Sequence, residues 1–178
     1  DDKIRLNLGC GDDIKKEFIN IDISKFHENI LNIDIKDIKS NFSENTVDEI
    51  YAKDVLEHVG LPNAKKFLKD WSSLLKKGGF ITLITPCLDL FIDAFRKNLI
   101  DEEKFNYLLF AGVHWDKGKP FWDTEKTTIY DWHKVCFSKN QLLKILKDNK
   151  LEIVSERYDK ITKDTNGLNM TIKAKKIN

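Results

Sequence analysis

Along most of the chain, short apolar runs alternate with longer amphipathic stretches. "IRLNLG" (residues 4–9) is an apolar run stopped by glycine, the pattern of a buried strand. "FINIDI" (18–23) and "VDEIYA" (47–52) repeat it. After Pro62, "NAKKFLKDWSSLLKKGG" places Ala64, Phe67, Leu68, Trp71, Leu74 and Leu75 at i, i+3, i+4, i+7 spacing. This predicts an amphipathic helix with basic residues at its end and Gly78-Gly79 as its stop. "FITLITP" (80–86) reads as the next strand. "SKNQLLKILKDN" opens on Ser138, a predicted N-cap, and lines up Leu142, Leu143, Ile145 and Leu146. "LEIVSERY" (151–158) and "LNMTIKAKK" (168–176) read as two final strands able to pair through "TKDTNG".

Strands alternating with helices predict an α/β fold, a mostly parallel sheet with helices on both faces. Such sheets bind ligands beyond the carboxyl ends of their strands, at the switch point of the strand order. The "GCG" after the first strand falls at that edge. Residues 87–137 interrupt the alternation. They are expected to hold helices ("LDLFIDAFRKNL", "DEEKFNYLLF") followed by a loop. They carry eleven of the 19 aromatic residues, among them Trp115, Trp122 and Trp132. Aromatic crowding near the ligand edge suggests a substrate-binding insertion or lid. A satellite core packing the insertion onto the sheet accounts for it equally well, and the two are compatible.

Composition narrows the partners. The 178 residues suit one domain with a real core, residues 1–178. Lys+Arg is 30 and Asp+Glu 29, so the net charge is +1, which gives no support to a polyanion-binding surface. A small-molecule substrate is expected rather than nucleic acid. Cys10, Cys87 and Cys136 are odd in number and form no CxxC pair, which disfavours a disulfide framework or zinc knuckle and favours a reducing compartment. No apolar run reaches membrane-spanning length and no signal-peptide pattern opens the chain, so a cytoplasmic protein is expected. The chain opens on Asp1 without Met, which is consistent with residues missing upstream.

Three ligands compete for "LGCGDD". A phosphate loop of the nucleotide-hydrolase kind needs Lys-Ser or Lys-Thr after its last glycine, and none is present. A dinucleotide fold needs GxGxxG opening a helix, with an acid about 20 residues on. Here there is no third glycine, and only six residues separate Gly11 from Phe18. Asp12 and Asp13 would also stand where a pyrophosphate sits. S-adenosylmethionine fits better: it has a ribose and an adenine but no phosphate, and its sulfonium is a cation that nearby acids tolerate. Asp22, ending the second strand, is placed to take the ribose hydroxyls.

Together these stretches resemble a class I S-adenosylmethionine-dependent methyltransferase, and the likeness covers most of the chain. "LNLGCG" resembles the family's glycine motif and "INIDI" its second-strand motif with the ribose-binding acid. "NIDIKDI" resembles the next motif, "VDEIYAKDVLEHV" the fourth-strand motif, "LLKKGGFITLITP" the helix-to-strand passage and "WHKVCFSKNQLLKILKDNKLEIV" the late helix-strand segment. The resemblance implies a Rossmann-like, seven-stranded sheet with its last strand antiparallel and the insertion after the fifth strand. It implies cofactor contacts at Asn7, Leu8, Gly9, Cys10 and Gly11, at Asp22 and Ile23, at Asp34 and Ile35 against the adenine, and at Lys53, Asp54 and His58. Two departures stand out. The usual acid before the glycines is Asn7, which weakens a contact to the methionine amino group, and the first helix is nearly absent. Some members resembling sugar-pathway methyltransferases share that shortened turn.

Methyl transfer requires the acceptor atom to be aligned with the methyl group, and a hydroxyl acceptor also needs a base for its proton. Asp116, Asp123 and Asp131 are in reach of that role from the insertion, but His133 and His114 are the expected catalytic residues; a loop histidine with a structural hydrogen bond is the alternative for each. "DVLEH" places Asp54, Glu57 and His58 at i, i+3 and i+4, on one side if the segment is a helical turn. The trio resembles the "ExxEH" metal motif of ubiquinone-pathway and small-RNA O-methyltransferases. That use would require a further ligand from His114 or His133. "VLEH" is also common in the fold without metal, and no metal is assigned. Cys10 reads as a small residue in a close-packed spot. The expected activity is O-methylation of a small polar acceptor such as a sugar or glycan precursor. Alternatives are N- or C-methylation of another metabolite, a catalytically silent scaffold and, more distantly, an NAD-dependent oxidoreductase.

Overall fold

A computed structural model describes residues 3–24, 28–110, 132–162 and 168–177. Seven strands form one sheet in the order β3-β2-β1-β4-β5-β7-β6. They are β1 (Arg5–Leu8), β2 (Ile19–Asp22), β3 (Ile30–Asn32), β4 (Val47–Lys53), β5 (Leu75–Pro86), β6 (Leu151–Tyr158) and β7 (Asn169–Lys176). The first five pair in parallel, whereas β7 runs antiparallel between β5 and β6. The order reverses at β1, which lies between β2 and β4, so the switch point falls at the glycine turn as expected.

Register explains what is buried. Leu6, Ile50, Ile81 and Ala174 are successive partners across the sheet, as are Leu8, Ala52, Leu83 and Ile172, and all are buried. Over this face lie α1 (Ile38–Asn41), α2 (Leu61–Leu74) and α5 (Lys139–Asp148). The six apolar positions whose spacing predicts α2 are all buried, with Trp71 fully so. Ser138 caps α5, its hydroxyl accepting from the Gln141 N–H. On the opposite face Tyr51, Thr82 and Lys173 are in register and half-buried. Ammonium groups sit over rings there, Lys15 over Tyr51 at 4.0 Å and Lys173 over Phe80 at 4.7 Å.

The helix α2 ends earlier than its pattern predicts. Leu75 is already extended and pairs with Val47, so "KKGG" belongs to β5. The register jumps from Val47↔Leu75 to Glu49↔Phe80, and Gly78, at φ +84°, takes up the irregularity. A Cβ on Gly79 would meet the carbonyls of Lys76, Asp48 and Val47 at 3.0–3.1 Å. The glycine pair therefore serves the strand crossing rather than the helix stop. Lys76, expected at a helix end, pairs with Asp48 at 2.9 Å.

The insertion begins with two helices where they are expected, α3 (Leu88–Arg96) and α4 (Glu102–Phe110). Phe91, Ala94, Ile100, Tyr107, Leu108 and Leu168 form a second, smaller core between them and the start of β7. Its exit is tied back to the sheet, because Phe137 bridges Cys87 in parallel. Trp115, Trp122, His114, Asp116, Asp123 and Asp131 lie outside the described residues. Among those described, no helix is long and apolar enough to cross a membrane.

Candidate active site

The glycine turn is built by backbone geometry. Gly9 and Gly11 sit at φ +61° and +48°, the left-handed region that favours glycine. A Cβ on Gly9 would stand 2.6 Å from Val55 Cγ2, whereas one on Gly11 meets nothing within 4 Å. The turn is thus pressed against the loop after β4 on one side and open on the other. The Asp22 carboxylate lies across it, one oxygen accepting from the Gly11 N–H at 2.9 Å and the other from the Ser24 N–H at 2.8 Å. Each oxygen keeps lone-pair capacity for a further donor. Ile23 beside it is 62% exposed, an apolar surface beside a fixed carboxylate. An open glycine turn, a fixed carboxylate and an apolar neighbour fit the ribose and adenine of S-adenosylmethionine.

Other expected cofactor residues are placed differently. Asn7 is buried, and its amide donates to the Asp13 carbonyl at 2.6 Å and to Asn20 Oδ1 at 2.8 Å. Its amide hydrogens serve the 13–20 loop rather than a ligand. Asn20 is its register partner on β2, also accepts from the Lys15 N–H and donates to the carbonyls of Lys15 and Phe18. This paired amide organises the short connection where the fold's first helix is missing. Leu8 is fully buried in the core, leaving only its backbone for a ligand. Cys10 is buried, and burial with the Asp22 charge pushes its thiol up to about 11, so it stays protonated. Asp34 caps a 3-10 turn by accepting from the Lys36 N–H and pairs with the Lys36 ammonium at 2.9 Å. Ile35 is part-buried against the main core. Lys53 and Asp54 lie within 3.9 Å of each other, both exposed.

The predicted single helical face of Asp54, Glu57 and His58 does not form. Asp54 is in the left-handed region at φ +54°, its N–H bound to the Ile84 carbonyl, and only Leu56–His58 is a 3-10 turn. What that turn brings together is Glu57, His58 and His133. The rings of His58 and His133 meet edge to face at 5.2 Å between centroids. One carboxylate oxygen of Glu57 and one nitrogen of each ring lie within 4.8 Å of one another.

Glu57 and His133 are each held from behind. Glu57 is 1% exposed, and its Oε2 accepts from the Thr85 hydroxyl at 2.9 Å. The Glu57 carbonyl accepts from the N–H groups of Lys134 and Val135, pinning the returning insertion to the β4 edge. His133 Nδ1 lies 3.1 Å from the Leu108 carbonyl. A carbonyl can only accept, so Nδ1 carries the proton and Nε2 presents its lone pair. Burial, with a smaller push from Asp54, raises the Glu57 carboxyl to about 8. Burial and the neighbouring His58 lower His133 to about 4. Thr85, Asn20 and Leu108 escape a reading of the sequence. The one available signal was the pair of asparagines at equivalent depth in the first two strands.

A family profile described as "Methyltransferase domain" matches residues 6–83, from the glycine turn to β5. No curated protein matches the chain by sequence. Solved structures share the fold. A methyltransferase of this cofactor class from Methanosarcina mazei is 18% identical with a TM-score of 0.67, covering 99% of this chain and 93% of its own. One from Archaeoglobus fulgidus is 14% identical with a TM-score of 0.63, covering 98% and 86%. The 1,6-didemethyltoxoflavin-N1-methyltransferase of Burkholderia thailandensis, solved with its substrate and S-adenosylhomocysteine, is 12% identical with a TM-score of 0.62, covering 98% and 71%. Residues 6–83 thus match a methyltransferase-domain profile, and the chain as a whole shares the fold of solved S-adenosylmethionine-dependent methyltransferases, with its glycine turn facing Asp22.

Proposed function

We propose that the enzyme methylates oxygen on a small polar acceptor carrying a ring, such as a sugar or glycan precursor, and that residues 87–137 form the acceptor side of the site. When bound, S-adenosylmethionine supplies an electrophilic methyl group on a sulfonium. Gly9 and Gly11 leave backbone room for it, Asp22 takes the ribose hydroxyls and Ile23 lies along the adenine. The observation that carries the acceptor reading is Trp132, 54% exposed, directly before the buried His133. An open indole face beside a polar cluster suits stacking on a sugar or other ring while a hydroxyl points into the cluster. Glu57, His58 and His133 are the polar groups that this hydroxyl would meet.

Ring stacking at Trp132 also admits a nitrogen heterocycle as acceptor, and the Burkholderia thailandensis neighbour acts on nitrogen of such a ring. Methyl-labelled S-adenosylmethionine incubated with a panel of sugar nucleotides, free sugars and nitrogen heterocycles separates the two, with the product read by NMR. An O-methyl product is expected, lost in Trp132→Ala. Label appearing only on ring nitrogen would replace the first reading by the second.

A further inference from the structure

We propose that Glu57, His58 and His133 bind one divalent transition-metal ion at the carboxyl edge of the sheet. The sequence assigns no metal because the "DVLEH" segment alone lacks a further ligand. Folding supplies it, bringing His133 from the end of the insertion against the turn after β4. The ligand set also differs from what the motif suggests, since Asp54 lies outside the cluster and His133 inside it.

Four features of the cluster point to an ion rather than to packing. Glu57 is 1% exposed, yet its Oε1 has no hydrogen-bond partner among the described residues, a costly arrangement for a buried oxygen unless something else fills the place. Its other oxygen is fixed by Thr85, and the Leu108 carbonyl fixes the tautomer of His133 with Nε2 bare. Outer groups that orient carboxylate and imidazole in this way are what a metal site needs. Bound at about 2.0–2.2 Å, such ligands stand roughly 3–3.5 Å apart, so atoms already within 4.8 Å close on an ion by small side-chain rotations. Two imidazoles and one carboxylate favour zinc, cobalt, nickel, manganese or iron(II) over magnesium or calcium, and leave coordination positions open.

The role of the ion rests on the oxygen-acceptor reading above. An acceptor hydroxyl in an open position becomes more acidic and releases its proton to water. Its oxygen then bonds to the methyl carbon as the carbon–sulfur bond breaks, the electron pair staying on sulfur.

The test is titration of chelator-stripped full chain with cobalt(II), followed by its visible ligand-field bands, for wild type, Glu57→Gln and His58→Gln. One equivalent is expected to bind, without a sulfur-to-cobalt charge-transfer band, and each variant should bind at least tenfold more weakly. Circular dichroism melts confirm folding. Should Glu57→Gln not fold, the half-buried His58 carries the comparison. No ligand-field spectrum, equal affinity in the folded variants, or a thiolate band from Cys87 or Cys136 would overturn the site. Titration of the same samples with S-adenosylmethionine keeps the two readings apart. Cofactor binding without cobalt binding removes the metal and leaves the methyltransferase; cobalt binding without cofactor binding keeps the metal site and removes only its assigned role.

Discussion

Replacing Gly9 by alanine should destabilise the fold by two separable amounts. The residue sits at φ +61°, which costs an L-amino acid about 1–2 kcal/mol. The new Cβ would also stand 2.6 Å from Val55 Cγ2 and 3.3 Å from Cγ1. Val55 is buried and stiff at χ1, so it cannot turn aside, and overpacking of this kind costs about 1–3 kcal/mol. Gly9→Ala is thus expected to lower the unfolding free energy by about 2–5 kcal/mol. Gly11→Ala, at φ +48° with nothing within 4 Å, should cost only the backbone share. Urea denaturation of a double-mutant cycle with Val55→Ala isolates the clash. In the Val55→Ala background Gly9→Ala should cost about 1–2 kcal/mol, a coupling of roughly 1–3 kcal/mol. A Gly9→Ala cost identical in both backgrounds, or no larger than that of Gly11→Ala, would refute the idea that the loop after β4 walls the glycine turn.

Three further outcomes follow from the fold. Asn20→Ala strands the Asn7 amide and the Lys15 N–H in a buried setting and should cost about 2–3 kcal/mol by urea denaturation, with Asn20→Asp recovering part of it. Trp71→Ala empties a fully buried site and should cost about 3–5 kcal/mol. Trp71→Phe should cost under half of that, because the indole N–H it deletes has no acceptor among the described residues. The Asp48 carboxyl is held below its usual range, chiefly by the Lys76 ammonium and also by the Ile4 N–H. Its stabilisation is therefore present above the unfolded carboxyl's pKa and lost as pH falls through the lowered one. Asp48→Asn should melt lower than wild type at pH 7, and the gap should shrink in acid; a gap that widens there would contradict the assignment.

Six of the seven strands and two long helices were legible because their apolar spacing is strong and their ends carry glycine or a capping serine, whereas the three-residue β3 is too short to show a pattern. Trp71 and Leu74 on one face left little choice for α2. Its end was not legible, because "KKGG" suits a helix terminus as well as a strand crossing, and only pairing of Leu75 with Val47 decides. The turn of Gly9 and Gly11 against Asp22 was legible, since close backbone approach and a carboxylate at a strand end leave a local signature. The partners of the Asn7 amide were not legible for the opposite reason: they are set by a loop whose folding depends on Asn20. The cluster of Glu57, His58 and His133 is tertiary. Local spacing favoured Asp54, whose left-handed backbone takes it out of the turn, and nothing nearby in the chain announces that α4 delivers the Leu108 carbonyl to His133.

The most direct test of the central claim is calorimetric titration of the full chain and of Asp22→Ala with S-adenosylmethionine, with NAD as control. One site per chain is expected for the wild type, at least tenfold weaker in Asp22→Ala, with no heat from NAD. Absence of binding to S-adenosylmethionine, or equal affinity in the variant, would contradict the account of the glycine turn and its carboxylate.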